Sequence, residues 1–370
     1  MPAPLRRVVP RGNRVRGRAS GSRPGRGPRQ VRRRPYVLSP ALCESGASCY
    51  KTGVRCLVTG ATGFIGGGVV RKLQNAGHEV IAYVREGSDS RSLQDVERIV
   101  GDLGDPNRLA IAAADCDAMV HAAGIADPAA DTDSLGWAHV AGTENVINAA
   151  RQAGCKRLIH ISCADVTLYD GPRSFWNEDQ APPRPFGELA RTKLQAEELV
   201  RVSGQRGFRT TALRPALVWG PGDTTHLPGW KAETNQGGIR IIGGGKKLMA
   251  TTFIGNLTHA VLCALQAKVV TGNVYHVVDT ELTVSRDFFT DLSTALGWKP
   301  PRGAGPYRWA WLACRTGLSS LHPTQVIRRG QTSAFEMNRA KKDLDYEPIV
   351  TREQGMAELA NWYRETHGNR

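Results

Sequence analysis

The sequence predicts a doubly wound α/β fold, in which helices cover both faces of a parallel sheet, followed by a smaller mixed region. Three observations lead to this prediction. From residue 54 onward, short apolar runs alternate with segments of helical periodicity. The apolar runs are unbroken, as expected for strands that are buried on both faces. After Pro215 the alternation gives way to glycine- and proline-rich turns, which marks the start of the mixed region.

The predicted elements follow one another in a strand-helix rhythm. We expect strands at 54–59, 79–84, 98–101, 118–122, 157–162 and 210–214. We expect helices at 66–76, 106–114, 135–153 and 186–203. Beyond Pro215 the pattern predicts helices at 255–266 and 284–296, and Thr351 and Gln354 are spaced as a capping box that starts a last helix.

The first predicted strand runs directly into Gly60, Gly63 and Gly66, which are spaced three residues apart, and then into a helix. Gly60 permits a tight turn, Gly63 lets the backbone approach an anion, and Gly66 lets the helix pack closely on the strand. The free N–H groups at the start of that helix, around Phe64 and Ile65, favour a dinucleotide pyrophosphate. The sequence therefore predicts a Rossmann-type nucleotide site, although a glycine-rich loop of another α/β protein is the alternative.

Cofactor selectivity is expected at the end of the second strand. An NAD site usually places a carboxylate there to bind the adenosine ribose, whereas an arginine can pair with a 2′-phosphate. Arg85 stands at this position, which favours NADP(H) over NAD(H), although Glu86 follows and Arg85 could be a solvated loop residue. After the third strand, Asp102 is placed to accept a hydrogen bond from the adenine amino group, or else it is a solvated turn residue.

Positive charge is concentrated at the start of the chain. The formal net charge is +15, but residues 1–35 hold twelve arginines and no lysine or acid, which leaves +3 for the rest. The body is therefore nearly neutral, and nucleic-acid binding could rest only on the extension. Residues 1–53 are rich in glycine and proline and are predicted to be disordered. They are interpreted as a transit peptide, a nucleic-acid-binding segment or an extension without a function of its own.

The remaining composition limits the compartment and excludes a membrane span. The eight cysteines form no CxxC pair and show no metal-ligand spacing, so no metal site is predicted and a reducing compartment is indicated. No run of eighteen apolar residues occurs, so no transmembrane segment is expected. The aromatic-aliphatic patch at 309–321 is predicted to be a core helix or a wall of the substrate site, with a lipid-surface contact as the alternative. The expected location is the cytoplasm or an organelle.

Several motifs in the same order resemble the extended short-chain dehydrogenase/reductase family, and most closely its 3β-hydroxysteroid dehydrogenase and NAD(P)-dependent epimerase/dehydratase branch. The resemblance extends from residue 54 to the C-terminus and includes a closing segment at 337–348. It implies that residues 54–215 bind NAD(P) and that 216–370 form the substrate-binding region. The motifs lie at 59–66, 101–103, 121–124, 142–145, 213–215 and 220–222. Besides the glycines, Phe64, Ile65, Arg85 and Asp102, the cofactor residues that it implies are Leu103, Ala122, Ala123, Lys193 and Pro215.

The resemblance implies a Ser/Tyr/Lys mechanism, from which this sequence departs. In the family, a tyrosine four residues before a lysine exchanges a proton with the substrate oxygen, and the lysine binds the nicotinamide ribose and lowers the pKa of the phenol. Here Lys193 is present, but the tyrosine position is Leu189. The serine position is Cys163, with Ser162 one residue earlier. Cys163 is read as a weak donor, a nucleophile or a small buried residue, and Tyr169 as a proton donor or a packed loop residue.

Three functions follow as hypotheses. The first is an NAD(P)-dependent oxidoreductase that acts on an alcohol or ketone of a steroid-like or other hydrophobic substrate, with Lys193 retained and the proton supplied by Ser162, Tyr169 or water. The second is a dinucleotide-binding sensor or structural subunit with impaired catalysis. The third is nucleic-acid binding through the arginine-rich extension. The resemblance also implies a homodimer that forms through the segments 135–153 and 186–203.

Overall fold

The computed structural model describes residues 53–180, 184–268 and 271–368. The predictions for the arginine-rich extension, namely its disorder and its three interpretations, fall on residues outside this description. The strands are β1 Arg55–Thr59, β2 Glu79–Val84, β3 Glu97–Val100, β4 Ala118–His121, β5 Arg157–Ile161, β6 Arg173–Trp176, β7 Arg209–Pro215, β8 Leu217–Trp219, β9 Arg240–Ile241, β10 Thr251–Phe253, β11 Asn273–Val277, β12 Arg302–Gly303 and β13 Ser333–Phe335.

The helices connect and cover these strands. They are α1 Phe64–Asn75, α2 Pro106–Ala112, α3 Thr132–Gly136, α4 Gly142–Gln152, α5 Glu188–Ser203, α6 Leu227–Asn235, α7 Ile254–Gln266, α8 Ser285–Ala295, α9 Tyr307–Arg315, α10 Pro323–Gly330, α11 Asn338–Leu344 and α12 Arg352–His367. A π-helical turn, Trp137–Ala141, joins α3 to α4.

Seven parallel strands form the central sheet in the order β11-β7-β5-β4-β1-β2-β3. The strand order reverses between β1 and β4, because the chain passes from β1 outward to β3 and then returns to β4. In open parallel sheets, ligands bind at the carboxyl ends of the strands beside such a reversal. The sheet confirms the predicted Rossmann-type fold class and places the glycine loop after β1 at the reversal point.

Successive residues of β1 enter cores on opposite faces of the sheet. Leu57 packs with α2 and α4 on one face, and Val58 packs with α1 and α7 on the other. Both side chains are fully buried. This alternation is the consequence of the two-residue period of a strand. It explains why β1 reads as an unbroken apolar run in the sequence.

Much of the described chain beyond Pro215 lies outside the central sheet. Three two-stranded parallel pairs lie outside the central sheet: β8 with β10, β9 with β12 and β6 with β13. This region also returns to the main sheet, because β11 pairs with β7 and α7 covers one sheet face. The division into domains at residue 215 therefore stays a prediction, and the seventh strand comes from beyond that boundary.

The six predicted strands agree with the structure to within one residue at each end. The capping box of the last helix is also confirmed, since Thr351 and Gln354 exchange side-chain and backbone hydrogen bonds at the start of α12. The single helix expected at 135–153 is confirmed as a continuous helical segment over 132–152, and the π-helical turn lies within it. The expectation of a core helix at 309–321 is wrong: α9 buries none of its residues, and Trp309 is 68% exposed.

Candidate active site

The loop after β1 has room for backbone atoms only. Gly60 has φ +71°, and a Cβ atom there would lie 2.6 Å from the backbone nitrogen of Ala123. A Cβ atom on Gly66 would overlap the carbonyl oxygen of Gly60, so α1 packs directly on the turn. Gly63 is the N-cap residue, and no side chain caps the first N–H groups of α1. These groups are therefore free for an anion, and the cradle fits a dinucleotide pyrophosphate.

The residues predicted to bind the adenosine end lie together at the next two strand ends. Arg85 follows β2 and is exposed, and none of the described residues pairs with it. Asp102 follows β3 and is also exposed; its Oδ1 accepts a hydrogen bond of 2.7 Å from the Gly104 N–H. The carbonyl oxygen of Leu103 accepts from Asn145 Nδ2 at 2.8 Å, which ties this loop to α4.

Two histidines brace the strand ends behind the cradle. His121, the last residue of β4, is hydrogen-bonded to Thr59 Oγ1 at 2.7 Å and to Thr143 Oγ1 at 3.0 Å. His139 of the π-helical turn is hydrogen-bonded to Thr192 Oγ1 at 2.8 Å. Burial, together with the nearby Lys193 charge, lowers the pKa of each imidazole to about 3. Both rings are therefore neutral and have a structural role. His121 fixes the end of β4, which Ala122 and Ala123 follow directly in the chain.

A cavity opens from the cradle along the carboxyl ends of β4, β5 and β7. It is lined by the start of α1, by residues that follow these strands, by α5 and by residues of β6, α10 and β13. Most of the lining is apolar. The lining includes Phe64, Ile65, Ala122, Gly124, Ile161, Ser162, Cys163, Asp165, Arg173, Leu189, Lys193, Pro215, His226, Arg328 and Phe335.

Lys193 and Leu189 face this cavity from one side of α5. Lys193 Nζ donates to the carbonyl oxygen of Ile161 at 3.3 Å and lies so close to Gly124 that a Cβ there would be 3.1 Å away. Burial lowers the pKa of the Lys193 ammonium, and the neighbouring Cys163 and Glu197 partly oppose this effect. Leu189 lies one turn earlier, where the resemblance implies a tyrosine, and presents an apolar surface. The helix thus brings the lysine to the site without a phenol beside it.

Ser162 lines the cavity but its proton is engaged elsewhere. Its Oγ donates to Glu197 Oε2 at 2.7 Å, and Glu197 is held by Arg214 through two bonds of 2.6 and 2.8 Å. All three side chains are buried. This arrangement fixes α5 against β5 and β7, and it directs the Ser162 hydroxyl towards Glu197.

Cys163 also lines the cavity, whereas Tyr169 does not. Burial raises the pKa of the Cys163 thiol to about 11, with the Asp165 carboxylate adding to the effect, so the thiol stays protonated at neutral pH. Tyr169 Oη donates to the carbonyl oxygen of Pro172 at 2.6 Å, and its ring stacks on Trp176. The structure therefore brings Ser162, Cys163 and Lys193 together and leaves Tyr169 apart.

Sequence reasoning missed a charged wall of the cavity, which consists of Asp165, Arg173 and Arg328. Arg328 of α10 forms an ion pair with Asp165, and Arg173 at the start of β6 lies next to them. Burial acts to raise the pKa of Asp165, but the charges of Arg328 and Arg173 and the hydrogen bond from Arg328 together outweigh it, so the pKa lies below its usual range. No short motif could have revealed this wall, because Asp165 and Arg328 are 163 positions apart.

The sheet reversal, the side-chain-free cradle and the adjoining cavity define a dinucleotide-binding protein with a separate substrate site. The chain belongs to the NAD dependent epimerase/dehydratase family, whose model matches residues 56–277. This membership confirms the resemblance to the extended short-chain dehydrogenases. It places the chain among the enzymes that use a nicotinamide dinucleotide to oxidise an alcohol or reduce a ketone.

Individual comparisons agree with this assignment. The chain is 31% identical to the 2-alkyl-3-oxoalkanoate reductase of Stenotrophomonas maltophilia (strain K279a), covering 83% of this chain and 98% of that protein. It is 30% identical to the 3-beta-hydroxysteroid dehydrogenase of Mycolicibacterium neoaurum, covering 84% and 91%. Among solved structures, MoeE5 in complex with UDP-glucuronic acid and NAD superposes with a TM-score of 0.68 at 23% identity, covering 84% of this chain and 99% of MoeE5.

Proposed function

We propose that this protein reduces a ketone to a secondary alcohol, or catalyses the reverse, on a substrate with a mainly hydrocarbon skeleton. The observation that carries this proposal is the apolar cavity that starts at Phe64 and Ile65, directly beside the cofactor cradle, and contains Lys193. The two relatives are named for a 3-oxo acid and a 3-hydroxysteroid. These substrates share an oxygen-bearing carbon within a hydrocarbon framework, which fits such a lining.

The proposed cofactor is NADP(H) in preference to NAD(H). Arg85 supports this choice, since it is exposed at the end of β2, where a guanidinium can pair with a 2′-phosphate. When bound, the dinucleotide supplies or accepts the hydride. Asp102, Leu103, Ala123 and Pro215 are proposed to border the cofactor as the resemblance implies.

Lys193 is proposed to orient the nicotinamide ribose and to give the proton to the substrate oxygen. Three features support the second role. The Ser162 hydroxyl donates to Glu197, the Cys163 thiol has a raised pKa, and Leu189 has no exchangeable proton. Among the described residues, Lys193 makes one long hydrogen bond, to Ile161, and its lowered pKa makes the ammonium a stronger acid than a lysine in water. After the transfer, the neutral Lys193 amine takes up a proton from solvent at the mouth of the cavity.

The proposal is tested by following cofactor oxidation with 3-oxosteroids, 2-alkyl-3-oxoalkanoates and simple long-chain ketones. We expect turnover by the natural protein and a loss of about a hundredfold or more in Lys193→Ala. Lys341→Ala is the matched control, because Lys341 is an exposed lysine that pairs with Glu347 away from the cavity. Equal rates for Lys193→Ala and the control would contradict the assigned role, and thermal melts would show that both variants are folded.

A dinucleotide-binding protein without turnover is the second candidate, and Leu189 is the observation that favours it. The side-chain-free cradle after β1 is present, whereas the family tyrosine is absent. This candidate predicts tight binding of NADPH with no oxidation in any of the assays above.

We also propose a homodimer formed through α4 and α5, as the resemblance implies. The mass measured by light scattering would then be twice the 40.1 kDa of the chain.

The proposed location is the cytoplasm or an organelle, with residues 1–53 as the transit peptide in the second case. Within the part of the chain that the structure describes, no helix has both the length and the apolar character needed to cross a bilayer.

A further inference from the structure

The charged wall of the cavity contains an arginine that lacks a full set of partners. The Arg173 side chain is 2% exposed and lines the cavity. Its hydrogen bond to Thr167 Oγ1 is long, at 3.4 Å, and its Nε has no partner among the described residues. The guanidinium also lies over the Phe335 ring, 5.5 Å from its centroid. Arg173 is thus a buried cation with hydrogen-bonding capacity to spare.

The charges around the cavity do not balance. Among the described lining residues, Arg173, Arg328 and Lys193 are cationic, and Asp165 is the one carboxylate. Asp165 forms its ion pair with Arg328 and only neighbours Arg173. His226 lies beside this pair, and burial lowers its pKa to about 3, so it adds no charge near neutral pH. The wall therefore carries an uncompensated positive charge.

A buried guanidinium that shares its counter-ion with a second arginine is incompletely compensated, because it has lost water without gaining a carboxylate of its own. The cost of this burial is removed when a ligand brings an anionic group to it. A carboxylate suits a guanidinium especially well, because its two oxygens can accept two parallel N–H bonds. The apolar lining between this wall and the cradle would accommodate a hydrocarbon chain.

We infer that Arg173, assisted by Arg328, binds a carboxylate on the substrate, so that the protein acts on oxo or hydroxy acids with a hydrocarbon chain. This inference rests on the proposed function and adds the substrate class to it. Asp165 is assigned the role of an internal counter-ion, which holds Arg328 while the site is empty and competes with the ligand carboxylate for it.

The test uses decanoate and methyl decanoate as probes, titrated into the full chain saturated with NADPH and followed by calorimetry. The ester has the same chain but no charge. We expect the natural protein to bind the acid at least about tenfold more tightly than the ester, as a charge-assisted bidentate pair would require. Saturation with NADPH excludes binding of the probe in the cofactor cradle.

Two substitutions should move the acid affinity in opposite directions. Arg173→Met should weaken acid binding by about tenfold and leave ester binding unchanged, whereas Asp165→Asn should strengthen acid binding. A general loss of structure would instead weaken both probes in both variants. Arg201→Met is the control for an arginine substitution, because Arg201 is exposed on α5 and pairs with Glu198.

Equal affinities for the acid and the ester in the natural protein would overturn the inference. So would an unchanged acid preference in Arg173→Met, or weaker acid binding in Asp165→Asn. If Arg173→Met does not fold, the direction in which Asp165→Asn changes the acid affinity still decides whether the inference holds. Ketone turnover without an acid preference would refute this inference and leave the proposed function standing. A preference for the acid without any turnover would support the carboxylate site and refute the proposed function.

Discussion

At the scale of single residues, the most informative position is Ser162, because its environment decides which group can donate a proton. The hydroxyl is part of a buried set with Glu197 and Arg214. Such a set orients side chains and holds α5 in register with the sheet. The sequence left Ser162 open as a proton donor, one residue before the family serine position at Cys163, and only the side-chain geometry shows where its proton is directed.

The buried set predicts a large difference between two neighbouring glutamates of α5. Glu197→Gln removes the charge that compensates the buried Arg214, so we expect a loss of about 3–5 kcal/mol in the free energy of unfolding. Glu198→Gln, in contrast, removes an exposed partner of Arg201 and should cost less than about 1 kcal/mol. Urea denaturation measures both values. Similar losses for the two variants would show that the Glu197 set is not a structural unit.

Lys193 as the proton donor predicts a definite sign of the pH dependence. Ketone reduction needs the ammonium form, so the rate should fall as pH rises through the pKa of Lys193, whereas alcohol oxidation needs the neutral amine and should rise. Because burial lowers this pKa, the change should come below the 10.5 of an ordinary lysine. Neutral His121 and His139 should add no transition above about pH 5. Single-turnover rates measured between pH 6 and 10 would reveal the transition, and a flat profile would contradict the assignment.

At the scale of elements, the glycine turn after β1 makes the clearest prediction. Gly66→Ala places a methyl group on the carbonyl oxygen of Gly60 and should displace α1, with the loss of NADPH binding. Gly229→Ala is the matched control in α6, where the added Cβ meets nothing within 4 Å. The control should bind NADPH normally and gain up to about 1 kcal/mol of stability. Fluorescence titration would test this, and normal binding by Gly66→Ala would refute the packing role.

The elements also show which parts of the fold can be predicted from the sequence. β1 and β4 were predictable because strands buried on both faces must be continuously apolar. The π-helical turn between α3 and α4 was not predictable. It comes with contacts of His139 to Thr192 and Ile125, which lie on other parts of the chain. The exposure of α9 was equally hidden, since an aromatic-rich helix has the same composition in a core and on a surface.

The same reasoning applies to the site. The cradle follows from the local spacing of its glycines, and Lys193 follows from the family motif that the sequence resembles. The Asp165, Arg173 and Arg328 wall requires a loop, β6 and α10 to meet at one place, and tertiary structure alone brings them together. The exclusion of Tyr169 from the cavity likewise depends on its local contacts with Pro172 and Trp176.

At the scale of the whole molecule, the proposed preference for NADPH depends on one surface residue, Arg85. Arg85→Ala should weaken NADPH binding by about tenfold and leave NADH binding nearly unchanged, because only NADPH carries the 2′-phosphate. Arg91→Ala is the control, since Arg91 is exposed and pairs with Asp89. If the natural protein binds the two cofactors equally, Arg85 does not select between them.

The central claim is that the whole site transfers hydride although Leu189 replaces the family tyrosine. The most direct test is the transfer of deuterium from NADPH labelled at C4 of the nicotinamide to a ketone substrate, read by mass spectrometry of the alcohol. We expect the natural protein to place one deuterium on the carbinol carbon, and Leu189→Tyr to do so about tenfold faster or more. An unlabelled product with the natural protein, together with labelling by Leu189→Tyr, would contradict the account.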